Sequence, residues 1–252
     1  MTDAQDNPAR SDYLRSIGAW TREQLEIRRE TRSLIEALIR FGPGAVIAEV
    51  KRSSPSQGEI ALDANPVEVA TRYAAEGAAA ISVLTSGRDF GGSYADLGAV
   101  RAAVDVPILC KDFMVDVWQV TEARVYGADA ILVILGLTED DLAADLMQAA
   151  EDQHMDALVE VHDEDELQRA LALGAVLIGV NARDLRTLEI DREQQARLLK
   201  MIPTGFLKVA ESGIESAAHA ARALASGADA LLVGTALMRR PELLQTLIRG
   251  VG

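Results

Sequence analysis

Four stretches of the chain read almost alike: EGAAAISVL (76–84), YGADAILVI (126–134), LGAVLIGV (173–180) and SGADALLVG (226–234). Each sets a glycine (Gly77, Gly127, Gly174, Gly227) at the end of a helical stretch, then alanine, then an apolar run. Glycine supplies the left-handed turn that stops a helix. A short, continuously apolar run is the pattern of a parallel strand covered on both faces. Alternating with these four, and beginning before the first, are GAVIAEV (44–50), VPILC (106–110), DALVEV (156–161) and FLKVA (206–210). The apolar runs are thus eight, with AAISVLT (79–85), ADAILVIL (128–135), AVLIGV (175–180) and DALLVG (229–234) as the other four. The glycines recur roughly every 50 residues, so the repeat is two strand–helix units long.

Helical stretches separate the runs: PVEVATRYAAEG, VDVWQVTEARVYG, TEDDLAADLMQAAEDQ, DEDELQRALALG, REQQARLLKMI and ESAAHAARALASG. The first opens on a proline suited to a first helical turn. Three open on acidic residues, which favour the positive end of the helix dipole. Eight strands alternating with helices through right-handed crossovers close most simply into an α/β (β/α)8 TIM barrel. The length of 252 residues suits one such barrel. An open doubly wound sheet is the alternative, but no GxGxxG or GxxxxGKS follows any run. Residues 1–43 precede the first strand, and TREQLEIRRETRSLIEALIRFG reads as helical. The expected organisation is an N-terminal helical extension over 1–43, a lid or an extra helix packed on the barrel, and a barrel over 44–252, as one domain overall.

Composition narrows the function classes. Hydrophobic residues make up 49% and charged residues 25%, as in a soluble globular protein with a substantial core. The single cysteine, Cys110, excludes an intrachain disulfide framework and a multi-cysteine zinc site. The three histidines have no metal-ligand spacing. A net charge of −14 disfavours nucleic acid or an anionic membrane as partner. The N-terminus has no secretory apolar core, and no apolar run approaches the length of a membrane span. A cytoplasmic, reduced setting is expected, with the chain a monomer or weak homo-oligomer.

A barrel keeps its chemistry at the C-terminal ends of its strands. Glu49 and Lys51 close the first run, on one side of the strand by its period of two. Lys111 follows the third run, Glu160 lies near the end of the fifth, and Asn181 and Arg183 follow the sixth. Glu211, Ser212 and Gly213 end the seventh, and Gly234 and Thr235 end the eighth. Lysine is a rare choice here, four of 25 basic residues, and two of the four stand at strand ends. One such lysine could simply fill a polar barrel top as a structural ion pair. Three glutamates, two lysines and an asparagine at one rim point to a site. The glycine-bearing ends ESG and VGT suit backbone amides binding a phosphate, although glycines also cap strands for steric reasons. Other residues read as structural. His162 is a cap at an acidic helix start, His154 and His219 are solvated, and Cys110 is small and buried. Asp112 begins a turn, and the acidic 163–166 is a solvated helix start.

Together these residues resemble the indole-3-glycerol-phosphate synthase family. VIAEVKRSSPSQGEI (46–60) is similar to the family's signature around its first strand. ILCKDFMVD (108–116), LVEVHDEDEL (158–167), IGVNARDL (178–185), VAESGI (209–214) and LLVGTALM (231–238) match in the same order. The likeness runs from about residue 44 onward, without a fused isomerase. It implies ring closure, decarboxylation and dehydration of 1-(2-carboxyphenylamino)-1-deoxyribulose 5-phosphate in tryptophan biosynthesis, with no metal or organic cofactor. It implies Lys111 as general acid at the carbonyl oxygen and Glu160 as general base in the dehydration. Lys51 would hold the substrate's carboxylate or phosphate and is a candidate donor to the departing hydroxyl. Glu49, Asn181 and Glu211 would position the anilino group and the carbonyl. Ser54, Pro55 and Ser56 would form a mobile first loop. Phe90, Phe113 and Leu132 would form the ring pocket. Arg183, Ser212, Gly213, Gly234 and Thr235 would line the phosphate end, and Leu232 would complete the substrate-binding wall.

Two departures stand out. Ser86 occupies a position that is often acidic in the family, and Val117-Trp118 replaces a usual Pro-Tyr pair. The first bears on loop closure and turnover, the second on helix packing. The alternatives are another phosphate-binding barrel enzyme, a sugar-phosphate isomerase or Schiff-base aldolase, or a binding paralogue that has lost catalysis. An isomerase would use a cysteine or aspartate where the first strand offers Glu49 and Lys51. An aldolase would need a lysine of depressed pKa.

Overall fold

The computed structural model describes residues 31–54 and 58–250. Eight parallel strands close into a barrel: β1 (Ala45–Val50), β2 (Ala80–Leu84), β3 (Ile108–Lys111), β4 (Ala130–Ile134), β5 (Asp156–Val161), β6 (Leu177–Asn181), β7 (Leu207–Glu211) and β8 (Ala230–Val233). Each pairs with its neighbours in sequence, and β8 closes on β1 through registers such as Ile47 with Leu232. The fold expected from the eight runs is the fold observed. Lys111, Asn181 and Glu211 are the last residues of their strands rather than loop residues, so the backbone ladder fixes their positions.

The four repeat glycines all take the left-handed turn, with φ of 99°, 93°, 79° and 102° at Gly77, Gly127, Gly174 and Gly227. The repeat has a second use that its glycines do not announce. Asp129 and Asp229, two residues after the turn, reach sideways to the foot of the preceding strand. Asp129 Oδ2 accepts from Ile108 N at 2.9 Å, and Asp229 Oδ2 from Lys208 N at 2.9 Å. Each aspartate thereby satisfies a strand-end donor that the sheet leaves over.

Eleven helices are described: α1 (Leu34–Phe41), α2 (Pro66–Ala75), α3 (Gly87–Phe90), α4 (Tyr94–Ala103), α5 (Val117–Val125), α6 (Asp140–Asp152), α7 (Glu164–Ala172), α8 (Arg192–Met201), α9 (Ala217–Ala225), α10 (Thr235–Arg239) and α11 (Leu243–Arg249). The periodic stretches do not announce α4. Its residues YADLGAVRAA are small, and Gly98 interrupts them because a Cβ there would meet the Tyr126 ring at 3.3 Å. Ser93 caps α4 by accepting from Asp96 N. Asp116 and Gln119 form a reciprocal capping box on α5.

Two apolar layers result. One lies between the strands and the helices, with Val46, Ile81, Cys110, Ile131, Val159 and Leu231 facing outward. The other fills the barrel, with Ile47, Leu109, Leu158 and Val209 from the odd strands among its members. Alternate strands contributing one layer of side chains is the packing rule of this architecture. Leu34 and Leu38 of α1 belong to the interior cluster and plug the barrel at the N-terminal ends of the strands. There Arg32 N donates to Asp129 and Ser33 Oγ to Asp156, at 2.8 and 2.9 Å. The described part of the extension is therefore a plug at the foot of the barrel, and the lid reading does not hold for it. Residues 1–30 of the 1–43 segment lie outside the described residues.

Arg101 and Asp129 are both buried and pair at 2.7 Å. Asp129 also accepts from Arg32 N and Ile108 N, so its removal strips a carboxylate from Arg101 and the acceptor from two main-chain donors. Asp129→Ala is expected to lower stability by about 3–5 kcal/mol, read from the urea unfolding midpoint. A change within about 0.5 kcal/mol would show the pair to be dispensable.

Candidate active site

Two residues above the apolar ring of Ile47, Leu109, Leu158 and Val209, the same odd strands place Glu49, Lys111, Glu160 and Glu211. The strand period of two carries these side chains into the barrel mouth. A hydrocarbon floor thus carries a charged layer, and the layer is stable only because its members pair. Lys111 Nζ lies 2.7 Å from Glu160 Oε2 and 2.9 Å from Glu211 Oε2. Asn181 Nδ2 donates to Glu160 Oε1 at 3.0 Å. Lys51 Nζ pairs with Glu49 Oε1 at 2.6 Å. All six residues expected at the rim are brought together.

Two glycines make room for the carboxylates. A Cβ on Gly179, the register neighbour of Glu160, would stand 2.0 Å from Glu211 Oε1. One on Gly234 would stand 2.2 Å from Glu49 Oε1. Neither glycine has a positive φ; at Gly179 the requirement is space, and at Gly234 space adds to an uncommon backbone conformation with φ −116° and ψ −86°.

The layer floors a cavity of about 840 Å³. On one wall the Phe90 and Phe113 rings lie 6.1 Å apart, tilted by 36°, with Lys51 Nζ 5.5 Å from the Phe90 centroid. Leu132 and Leu232 line the same cavity. At the other end stand Arg183, Ser212, Gly213, Gly234 and Thr235, the last opening the short helix α10. Ser212 holds φ at 63°, a costly left-handed turn for a residue with a side chain. Arg183 is anchored on its own loop through Leu188 O at 2.7 Å. Ser54 lines the cavity, while Pro55 and Ser56 lie outside the described residues. Arg186, Arg239 and Arg240 also line it, and the ends of the apolar runs give no sign of these loop cations.

The expectations of a simple cap at His162 and a solvated helix start at Glu166 both need correction. His162 is partly buried with Nε2 3.2 Å from Glu160 Oε1 and Nδ1 3.0 Å from Glu166 Oε2. The i, i+2 spacing from Glu160, the same spacing that joins Glu49 to Lys51, is the signal in the sequence that points to this contact. Asp112 does not touch Lys111. It accepts from Thr85 Oγ1 at 2.6 Å and from Phe113 N at 2.9 Å, which is the turn expected. Cys110 is buried, and burial pushes its thiol up to about 12. Ser86 lines the cavity at the start of α3, whereas Trp118 is exposed on α5.

The ionisation states follow from these contacts. Burial opposes charge on Lys111, but Glu160, Glu211 and Glu49 outweigh it and hold the ammonium above the ordinary lysine range. Burial likewise opposes charge on Glu160, yet Lys111 and His162 hold that carboxyl well below its usual value. Glu211 lacks such help. Burial, reinforced by its like-charged neighbour Glu160, pushes it up to about 8 despite Lys111. His162 is desolvated, but Glu160 and Glu166 together raise it to about 10. Among the described residues no group of three His, Cys, Asp or Glu could hold a metal ion.

A histidine raised from 6.5 to about 10 by its folded partners contributes stability that is complete below about 6.5. That contribution is lost as pH rises through about 10. Thermal melts across this range are expected to show a falling midpoint, with a shallower fall in His162→Gln. Parallel curves for the two proteins would contradict the pairing.

The sequence profile of the family described as indole-3-glycerol phosphate synthase matches residues 11–249. Relatives that bear that name include proteins 48%, 53% and 54% identical to this chain. The protein of Parafrankia sp. (strain EAN1pec) is 53% identical over 79% of this chain and 75% of its own length. That of Nocardioides sp. (strain ATCC BAA-499 / JS614) is 54% identical over 79% and 77%. That of Beutenbergia cavernae is 48% identical over 87% and 82%. Among solved structures, a thiamine phosphate pyrophosphorylase from Pyrococcus furiosus superposes with a TM-score of 0.63, over 82% of this chain and 95% of that one. At 18% identity it speaks for the fold alone.

Proposed function

The chain belongs to the indole-3-glycerol phosphate synthase family, and from that premise we propose that its barrel mouth converts 1-(2-carboxyphenylamino)-1-deoxyribulose 5-phosphate to indole-3-glycerol phosphate, the carboxy-lyase step of that name in tryptophan biosynthesis. The observation that carries the residue assignment is Lys111 bridging Glu160 and Glu211 on the floor of a cavity with an aromatic wall and a cationic end.

The substrate's aromatic ring would lie against Phe90, Phe113 and Leu132, with Leu232 beneath. Its phosphate would meet the amides of Ser212, Gly213, Gly234 and Thr235, at the loops after β7 and β8 where this architecture commonly binds phosphate. Arg183 and the neighbouring arginines supply cations there. Lys51 would hold the substrate carboxylate, with Glu49 fixing the ammonium.

Ring closure joins the ring carbon bearing the carboxylate to the ketone carbon, and Lys111 gives a proton to the developing alkoxide. Loss of carbon dioxide restores the ring. The hydroxyl then leaves as water, protonated by a lysine, while Glu160 takes the proton that completes the double bond. General acid and base groups each contribute about 10²- to 10⁴-fold. Lys111 gripped by two carboxylates is a weak acid, so the substrate oxygen must replace one of them before transfer. The same grip counts against a Schiff-base aldolase, which needs a neutral lysine. The acidic balance and the one buried cysteine support a reduced, cytoplasmic setting.

Lys111→Ala is expected to lower kcat about 10²- to 10⁴-fold with the circular dichroism unchanged. Near-normal turnover would remove Lys111 as the acid. Gly179→Ala, which drives a methyl against Glu211, is expected to lower kcat more than it weakens substrate binding. An unchanged kcat would mean that Glu211 needs no fixed position.

A further inference from the structure

Glu160 and Glu211 share one lysine, yet their surroundings differ. Glu160 also receives Asn181 Nδ2 at 3.0 Å and faces His162 Nε2 at 3.2 Å. Glu211 Oε1 and His162 Nε2 are both buried without a hydrogen-bond partner among the described residues, so the contact of His162 with Glu160 is an ion pair at 3.2 Å and not a hydrogen bond. His162 in turn is gripped from its far side. Glu166 Oε2 meets both its Nδ1, at 3.0 Å, and its main-chain N, at 2.8 Å. Gln194 donates to its carbonyl at 2.6 Å. With one carboxylate oxygen 3.0 Å from Nδ1 and another 3.2 Å from Nε2, the doubly protonated imidazolium is the form that both contacts favour.

We propose that His162 is a positioning residue, an imidazolium clamped between Glu160 and Glu166 that keeps Glu160 the anion of the pair and leaves the pair's dissociable proton on Glu211. Charge balance requires one proton among the three carboxyls when Lys111 and His162 are both cations, because three carboxylates would leave a net negative charge in a buried layer. Lys111, Asn181 and His162 all face Glu160, whereas Glu211 Oε1 has no hydrogen-bond partner among the described residues, which places that proton on Glu211. The raised His162 and Glu211 and the lowered Glu160 agree with it.

Among the described residues no other charge faces His162 closely. The loop after β4 brings Gly136, whose missing side chain makes room for Glu166 and the imidazole. Arg169, on the helix of Glu166, is engaged by Asp140 and the carbonyls of Leu135 and Thr138. Asp163 accepts from Glu166 N. His162 and Asn181 both face Glu160 Oε1 while Lys111 takes Oε2, so a ligand displacing Lys111 need not disturb the contact of His162. Glu160 would then stay ionised, ready to accept a proton, while Lys111 moves to the substrate.

This role for His162 rests on Glu160 acting as the base, and the experiment separates the two claims. Imidazole nitrogen NMR of the wild-type chain reads His162 directly and needs no turnover, with exposed His154 as the internal reference. His162 is expected to hold both ring protons throughout the neutral range, and in Glu166→Gln to lose one at lower pH. A neutral His162 at pH 7 in the wild-type protein would overturn the proposal. The second readout is the pH dependence of kcat/KM for His162→Gln, which keeps a donor but removes the charge. Its acid limb is expected about one pH unit or more above that of the wild type. A lowered kcat with an unmoved acid limb would mean that His162 only packs, which also overturns it. Should His162→Gln fail to fold, the NMR result on the wild-type chain decides. Glu160→Gln tests the underlying reading by itself. Full turnover there would remove Glu160 as base while leaving the state of His162 measured.

Discussion

Everything in the barrel mouth depends on one ammonium held between two carboxylates. Lys111 is inside the barrel, above a hydrocarbon ring, where a lone charge would be prohibitive. Glu160 and Glu211, from the next two odd strands, are what allow it to be there. Their spacing is set by backbone ladders that run the length of the strands. The geometry of Lys111 and Glu160 is therefore inherited from the sheet and not left to loops. The glycines beside them are part of the same constraint, because a Cβ at Gly179 or Gly234 would collide with a carboxylate oxygen.

The two ends of the barrel divide the work. At the foot, Asp129 and Asp229 satisfy strand-end amides, the Arg101–Asp129 pair is buried, and α1 inserts Leu34 and Leu38 as a plug. At the mouth, loops from β1, β2, β3, β6, β7 and β8 build walls of different chemistry, aromatic on one side and cationic on the other. Stability at one end lets the other tolerate a charged layer and the strained turn at Ser212.

Much of this is legible in the residues. Parallel strands buried on both faces appear as apolar runs, and the glycine–alanine repeat marks the entry to every second one. Polar residues at the ends of such runs have few places to go except the mouth, which is why Glu49, Lys51, Lys111, Glu160, Asn181 and Glu211 can be picked out in advance. Low-contrast elements are harder to see. Helix α4 is built of small residues around Gly98, so its face shows little periodicity. The role of His162 depends on Glu166 returning from a helix, and an acidic helix start looks the same whether its side chains face water or a buried imidazole. The cations Arg186, Arg239 and Arg240 line the mouth from segments beyond the strand ends, whose paths no sequence pattern reports.

The most direct test of the account is turnover by the purified full chain. The substrate is 1-(2-carboxyphenylamino)-1-deoxyribulose 5-phosphate, followed by the indole fluorescence of the product with EDTA present. Steady product formation is the predicted result, because the residues proposed to bind, protonate and deprotonate the substrate all stand together at the mouth of this barrel. Tight binding of the substrate with no product would contradict the account, since the mouth would then recognise the molecule without performing its chemistry.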